Sequence, residues 1–492
     1  MESTPTALLK FLLPKTPFIL KTALWHTLSM SDTASHWDLR TELTVKVLRQ
    51  MLGPDSETST ITKLQRLTTK DPGVKGKVWV CKVKCGVPGE DTLRAVLFRA
   101  IEELNTSGEV LDYERPDAVP MEAEWVGYRG DASVTDSTPE PADLSEKEKY
   151  ENMMKETTSK VTVLYFHGGA MYLLDPATYR PLAGKIAQKT GGRVFNVRYR
   201  LAPQNPFPAA ILDAFTAYLT LLYPPTDAPH DPVPASHIVF GGDSAGGMIC
   251  TALLQLLLQM HRSNADSNSS LPTIQFHGRD VPVPLPAGLA ITSPWLDATR
   301  SLPSIEALAK YDYLPTPSQT ATMEHPPCPA WPTTPPRADL YTTTNTLTHP
   351  LVSPLAATNW TGAPPIFFSV GEEMLYDENA VLATRVARQG GKVVWREFQA
   401  MPHVFGMMIE WTAQAGMHLA EYTKFCCQVV DGGEGVETNG VVYAARGMGE
   451  KSVDAGGLSK MTEEQVREFM REGKNRIEKK FMGGVVEARP ML

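Results

Sequence analysis

The sequence predicts an α/β fold: a mostly parallel sheet flanked by helices, with further helices ahead of it. Two observations carry this. From Val161 onward, short apolar runs of strand length alternate with longer runs of helical period, the pattern of βαβ units. At its centre, "VFGGDSAGGM" (239–248) packs four glycines around one serine between an apolar strand and a long apolar helix, where an ordinary turn would need one glycine.

The elements follow in order. Residues 1–70 read as amphipathic helices. "KGKVWVCKVKC" and "MEAEWVGYR" read as strands on either side of the helical "TLRAVLFRAIEEL". Residues 130–160 are acidic and polar without an apolar period, which predicts a solvated insertion. Then come the strand "VTVLYFHGG", a helix near 177–190, "RVFNVRY", a helix near 208–223, "HIVFGG", a helix to Met260, "LAITSPW", "PIFFSVG", a helix near 377–389 and "KVVWREF". Two loops interrupt the series, at 262–286 and 315–340. The second is crowded with prolines in "EHPPCPAWPTTPPR" and long enough to overhang a binding site. Three regions result: a helical N-terminal segment (1–75), the α/β domain (76–428), and an extension (429–492) of unread role that ends in a charged helix near 461–481.

Composition narrows the function classes. The 492 residues suffice for a large core, and 42% hydrophobic with 21% charged residues is globular. A formal net charge of −8 argues against nucleic acid as a partner. Six cysteines without a C-x-x-C or Cys/His cluster predict reduced packing residues, no metal and no cofactor. Lys10, Lys15 and Lys21 break the apolar "ALLKFLLPKTPFILKTALWHTL" too often for a spanning helix, and it lacks a cleavage signal, so a cytoplasmic protein is expected. Peripheral contact with an intracellular membrane through Leu8–Leu28 is the alternative, since so many apolar residues want a partner on most sides. The oligomeric state is not legible.

Ligands of parallel α/β sheets meet the carboxyl ends of the strands, and four strand ends here carry chemistry. Gly242-Asp243-Ser244-Ala245-Gly246 fits G-x-S-x-G, a strand-turn-helix elbow that presents the serine hydroxyl. His167-Gly168-Gly169-Ala170 is a turn whose backbone amides can converge on an oxyanion. "GEEMLYD" offers Glu372, Glu373 and Asp377, and "MPHVF" places His403 just past a strand end. A serine needs a base within reach and an anion to orient that base. The chain order of serine, acid and histidine suits this, and predicts acyl transfer on a small-molecule ester.

The blocks "FHGGA", "YRLAP", "GDSAGG", "HPLVSPL" and "MPHVF" resemble those of the hormone-sensitive lipase branch of the α/β-hydrolase fold, with its carboxylesterases and arylacetamide deacetylases, over about residues 161–410. The resemblance implies that Ser244 is the nucleophile and His403 the general base and acid. It implies an oxyanion hole of the Gly168, Gly169, Ala170 and Ala245 amides, and N-terminal helices capping the pocket. The family's "DPLRDE" register puts Glu373 at the acid position, with Asp377 and Glu372 as alternatives. Longer relatives with "EAEWVGYR"-like segments occur among hydrolases of fungal metabolism. Two departures stand out: Ala170 replaces the usual third glycine, and Gln204-Asn205 replaces a common Glu-His pair. Serine carboxylester hydrolysis, on a small to medium hydrophobic ester, acetyl ester or lactone, is the implied activity. A cyclase, or a receptor that only binds its ligand, is the alternative; such receptors lose the histidine, which is present here.

Overall fold

Every residue of Thr162–Phe166, Ile238–Asp243, Gly288–Thr292 and Ile366–Gly371 is buried, which explains why these strands are continuously apolar rather than alternating: both faces of the sheet are covered. The computed structural model describes residues 13–54, 58–131, 133–264, 271–321 and 323–487. In chain order the strands are β1 (Val78–Cys85), β2 (Met121–Tyr128), β3 (Thr162–Phe166), β4 (Arg193–Val197), β5 (Ile238–Asp243), β6 (Thr273–Phe276), β7 (Arg279–Pro282), β8 (Gly288–Thr292), β9 (Ile366–Gly371), β10 (Val393–Phe398), β11 (Asn439–Tyr443) and β12 (Glu450–Val453). Ten of them form one sheet in the order β1-β2-β4-β3-β5-β8-β9-β10-β11-β12. The seven from β4 to β11 run parallel, while β2 and β12 are antiparallel to their neighbours.

Helices cover both faces. Ala209–Leu222, Ala245–Ser263 and Tyr376–Arg388 pack over one, and Arg180–Thr190 with Ala413–Val430 over the other. All fourteen residues of Ala209–Leu222 are buried. The N-terminal region forms the helices Thr16–Thr27, Leu39–Leu52 and Ile61–Thr68, the last two capped by Asp38 and Thr60, whose side chains accept from Thr41 and Lys63 N–H. These helices dock onto loops at strand ends. Trp37 Nε1 donates to Ala400 O at 2.6 Å, Arg49 Nε to Asp312 O at 2.8 Å and Gln65 Nε2 to Ala202 O at 2.9 Å. Cys81, Cys85 and Cys426 are buried thiols.

Three regions depart from the sequence expectation. The acidic stretch 130–160 contains the helix Glu146–Glu156, with Ser145 and Glu148 forming a capping box and Tyr150 and Met153 buried against β1 and β2. Gly127 makes the room, since a Cβ there would strike the Met153 side chain. The insertion 262–286 is partly a hairpin, β6 and β7, turning at His277-Gly278 with φ of 48° and 73°. The sheet also does not stop at residue 428. β11 pairs in parallel with β10, and Tyr443 stacks on Phe398 with centroids 4.8 Å apart. The closing helix Glu463–Glu487 buries Val466 and Met470, and Glu463 holds Arg385 through Nε at 2.9 Å and Nη2 at 2.7 Å. Among the described residues, no helix is long and apolar enough to cross a membrane. Leu8, Leu9, Phe11 and Leu12 of the apolar N-terminal stretch lie outside the described residues.

Candidate active site

The glycines around Ser244 are there because backbone crosses backbone. A Cβ on Gly242 would meet the backbone of Gly246, and one on Gly246 would overlap the Phe166 carbonyl at the end of β3. With those side chains missing, β5 and the helix Ala245–Ser263 cross closely enough to force Ser244 to φ 51°, ψ −120°. Such a conformation costs on the order of 1–3 kcal/mol. The surroundings hold it: Ser244 N–H donates to Thr292 O at 3.1 Å, and its carbonyl accepts from Trp295 at 2.9 Å and Met248 at 3.1 Å. Ser244 is half-buried between buried neighbours, so its side chain is the accessible one at the elbow.

His403 and Glu373 meet from the ends of β10 and β9. His403 Nδ1 lies 2.9 Å from Glu373 Oε2, and both residues are buried. A carboxylate at Nδ1 fixes the proton there and leaves Nε2 as the accepting nitrogen. Burial pulls the imidazole pKa down, but the charge and hydrogen bond of Glu373, aided by Asp312 and Asp243, outweigh it, so His403 lies above its ordinary value. The two other acids serve elsewhere. Glu372 Oε2 accepts from Ala400 N–H at 2.9 Å, and Asp377 Oδ2 from Ser304 N–H at 2.8 Å.

Asp312, which sequence reasoning missed, joins these loops. Its Oδ2 accepts from Met374 N–H at 3.0 Å, next to Glu373. Its Oδ1 accepts from Tyr313 at 2.7 Å and from His403 N–H at 3.4 Å. Arg49 of the N-terminal helices grips the carbonyl of the same residue. Val404, at φ 49°, donates its N–H to Ser293 Oγ at 3.1 Å, closing the turn that carries His403.

The loop after β3 corrects one expectation. Gly168 N–H already donates to Tyr179 Oη at 3.0 Å, so it is not an available oxyanion donor; the sequence cannot show which amides are spoken for. Gly169, Ala170 and Met171 follow with φ of 109°, 52° and 67°. Gly169 is half-buried and Ala170 exposed, and no hydrogen bond among the described residues uses either amide. Ala245 is the first residue of its helix, where an N–H has no acceptor one turn back.

Tyr179 Oη in turn donates a hydrogen bond to Asp243 Oδ2 at 2.9 Å, while Tyr165 Oη donates to Oδ1 at 2.8 Å. Burial, only partly offset by these hydroxyls, pushes the Asp243 carboxyl up to about 6. Tyr199 stacks on His167 with centroids 4.4 Å apart and donates to its carbonyl at 2.7 Å, completing the support behind the loop. Gln204, one of the two departures from the family pattern, exchanges paired amide hydrogen bonds with Gln65 at 2.7 and 3.1 Å and so ties the helix Ile61–Thr68 to this loop region. A cavity of about 600 Å³ lies behind the loop, walled by Gln65, Leu174, Asp175, Arg198 and Tyr199; Ser244, Glu373 and His403 do not line it.

Residues 163–407 match the family model described as alpha/beta hydrolase fold. An acetyl-hydrolase of Streptomyces hygroscopicus is 31% identical over 245 residues, which are 50% of this chain and 68% of that protein. An esterase of Acinetobacter venetianus is 27% identical over 278 residues, 56% of this chain and 77% of its own. The crystal structure of an esterase from the bacterial hormone-sensitive lipase family superposes with a TM-score of 0.52 at 22% identity, covering 80% of this chain and 99% of that one.

Proposed function

We propose that this chain, which belongs to the α/β-hydrolase-fold family and is a carboxylesterase-like hydrolase, is of the hormone-sensitive lipase branch and cleaves esters through an acyl-enzyme formed on Ser244. The observation that carries the proposal is the strained Ser244 elbow in one molecule with a buried His403–Glu373 pair.

The chemistry runs in two halves. Ser244 Oγ bonds to the acyl carbon as His403 Nε2 takes the hydroxyl proton, and the oxyanion that forms is stabilised by the amides of Gly169, Ala170 and Ala245. The bond to the alcohol oxygen then breaks as His403 returns the proton to it, leaving acyl-Ser244. Water repeats the sequence and releases the acid. Glu373 stays ionised, holds the tautomer and offsets the imidazolium charge.

For substrate we favour a small to medium hydrophobic ester, acetyl ester or lactone; the relative named acetyl-hydrolase supports the short acyl end of that range. Replacing Ser244 by Ala is the test. Turnover of p-nitrophenyl acetate should fall on the order of 10⁶-fold in a folded protein, as when the nucleophile of a comparable triad is removed. Unchanged turnover would refute the mechanism.

A further inference from the structure

The helix Thr16–Thr27 leaves large apolar side chains on its solvent side. Its inward side is mixed: Thr22 is buried, Phe18, Ile19 and Ala23 are half-buried, and His26 Nδ1 pairs with Glu42, a fully buried carboxylate that Ser31 and Lys46 also contact. Its outward side is apolar. Leu20, Leu24 and Leu28 recur every four residues, flanked by Leu13, Trp25 and Met30, and these six stand 43–67% exposed. The main packing partner of this helix is the neighbouring helix Leu39–Leu52. Six large apolar side chains exposed within the stretch 13–30 mark an interaction site rather than scattered exposure.

Charge selects the occupant. From residue 13 to residue 30 the chain has Lys15 and Lys21 and no Asp or Glu, although its formal net charge is −8. Lys15 Nζ reaches Gln50 Oε1 at 3.3 Å, and Lys21 Nζ lies 4.7 Å above the Trp25 ring, placing a cation beside the tryptophan at the edge of the apolar face. A second copy of this face would bring like charges together with no carboxylate between them. An anionic lipid surface instead offers an apolar layer for the leucines, a headgroup zone for the tryptophan, and phosphates for the lysines. We propose that the face formed by Leu13, Leu20, Leu24, Trp25, Leu28 and Met30 docks this enzyme on an anionic membrane surface, lying in the interface rather than crossing it. This is independent of Ser244 chemistry.

The test is co-sedimentation of the full chain with phosphatidylcholine vesicles, with and without phosphatidylglycerol. Binding should require the anionic lipid and weaken with added salt. Lys21→Gln should reduce it about fivefold, and the double substitution Leu20→Gln, Leu24→Gln by at least about tenfold. Hydrolysis of a short soluble ester should be unchanged in all variants, since none of these residues touches the site. Equal sedimentation of the variants, or none of the wild type, would overturn the proposal. So would a wild-type dimer in solution that the leucine substitutions dissociate. If the double variant fails to fold, Leu28→Gln at the helix end decides by the same readout.

Discussion

Glu373 and His403 are both withdrawn from water, so each depends on the other more than a surface pair would. Burial alone would hold the imidazole below its ordinary value, and the carboxylate reverses that. A base must be neutral to accept the serine proton, so the acid limb of kcat/KM should lie above about pH 6.5, the unperturbed histidine value. Glu373→Gln removes the charge, which should move the limb to lower pH and cost on the order of 10⁴ in kcat. Asp377→Asn should leave the limb in place, because that carboxylate caps Ser304. A pH–rate profile of both variants decides; a larger loss at Asp377, or an unmoved limb in Glu373→Gln, would contradict the pairing. Chain order left Glu372, Glu373 and Asp377 open, and the register of the resembled family favoured Glu373, the one of the three whose carboxylate reaches His403. Asp312 and Tyr179 were not, because a buried carboxylate that collects backbone N–H groups and a hydroxyl that relays one belong to no local pattern. Gly168 was misread for the same reason.

The elbow sets the constraint at the next scale. Replacing a helical glycine by alanine ordinarily stabilises by roughly 1 kcal/mol. At Gly246 the new methyl would overlap the Phe166 carbonyl, so strand and helix would have to part. Gly246→Ala is expected to destabilise by about 1–3 kcal/mol and to impair turnover, because the separation displaces Ser244. Thermal unfolding and ester hydrolysis measured on one preparation test this, and a raised Tm with full activity would disprove the crossing argument. The parallel strands and the elbow were readable because continuous apolar runs and clustered glycines have few other uses. The helix Glu146–Glu156 was hidden by its charge. Its Ser145-x-x-Glu148 cap was the available signal, and the acidic composition around it masked the buried Tyr150 and Met153.

Across the whole molecule, the chain after residue 428 completes the body. β11 covers the edge of β10, Arg385 spends its guanidinium on Glu463 and on the carbonyls of Leu355 and Ala357, and Arg476 donates to the carbonyls of Thr299 and Arg300. Ending the chain at residue 437 should therefore bare the β10 edge and strand a buried arginine, giving aggregation or a markedly lower Tm. A soluble truncated protein with the full-length Tm and turnover would show the extension to be an appendage. Strands of five and four residues, half exposed and set among glycines, carry too little period to be recognised from sequence, which is why this layer was unread.

The central claim is that Ser244 is the nucleophile, activated by His403 and strained into place. Its most direct measurement is covalent labelling with an alkyl fluorophosphonate, read by intact mass and peptide mapping. One phosphonyl group per chain, located on Ser244 and lost in step with esterase activity, is the predicted result, with labelling greatly slowed in His403→Ala. Label on another residue, or full activity retained with Ser244 fully labelled, would contradict the account.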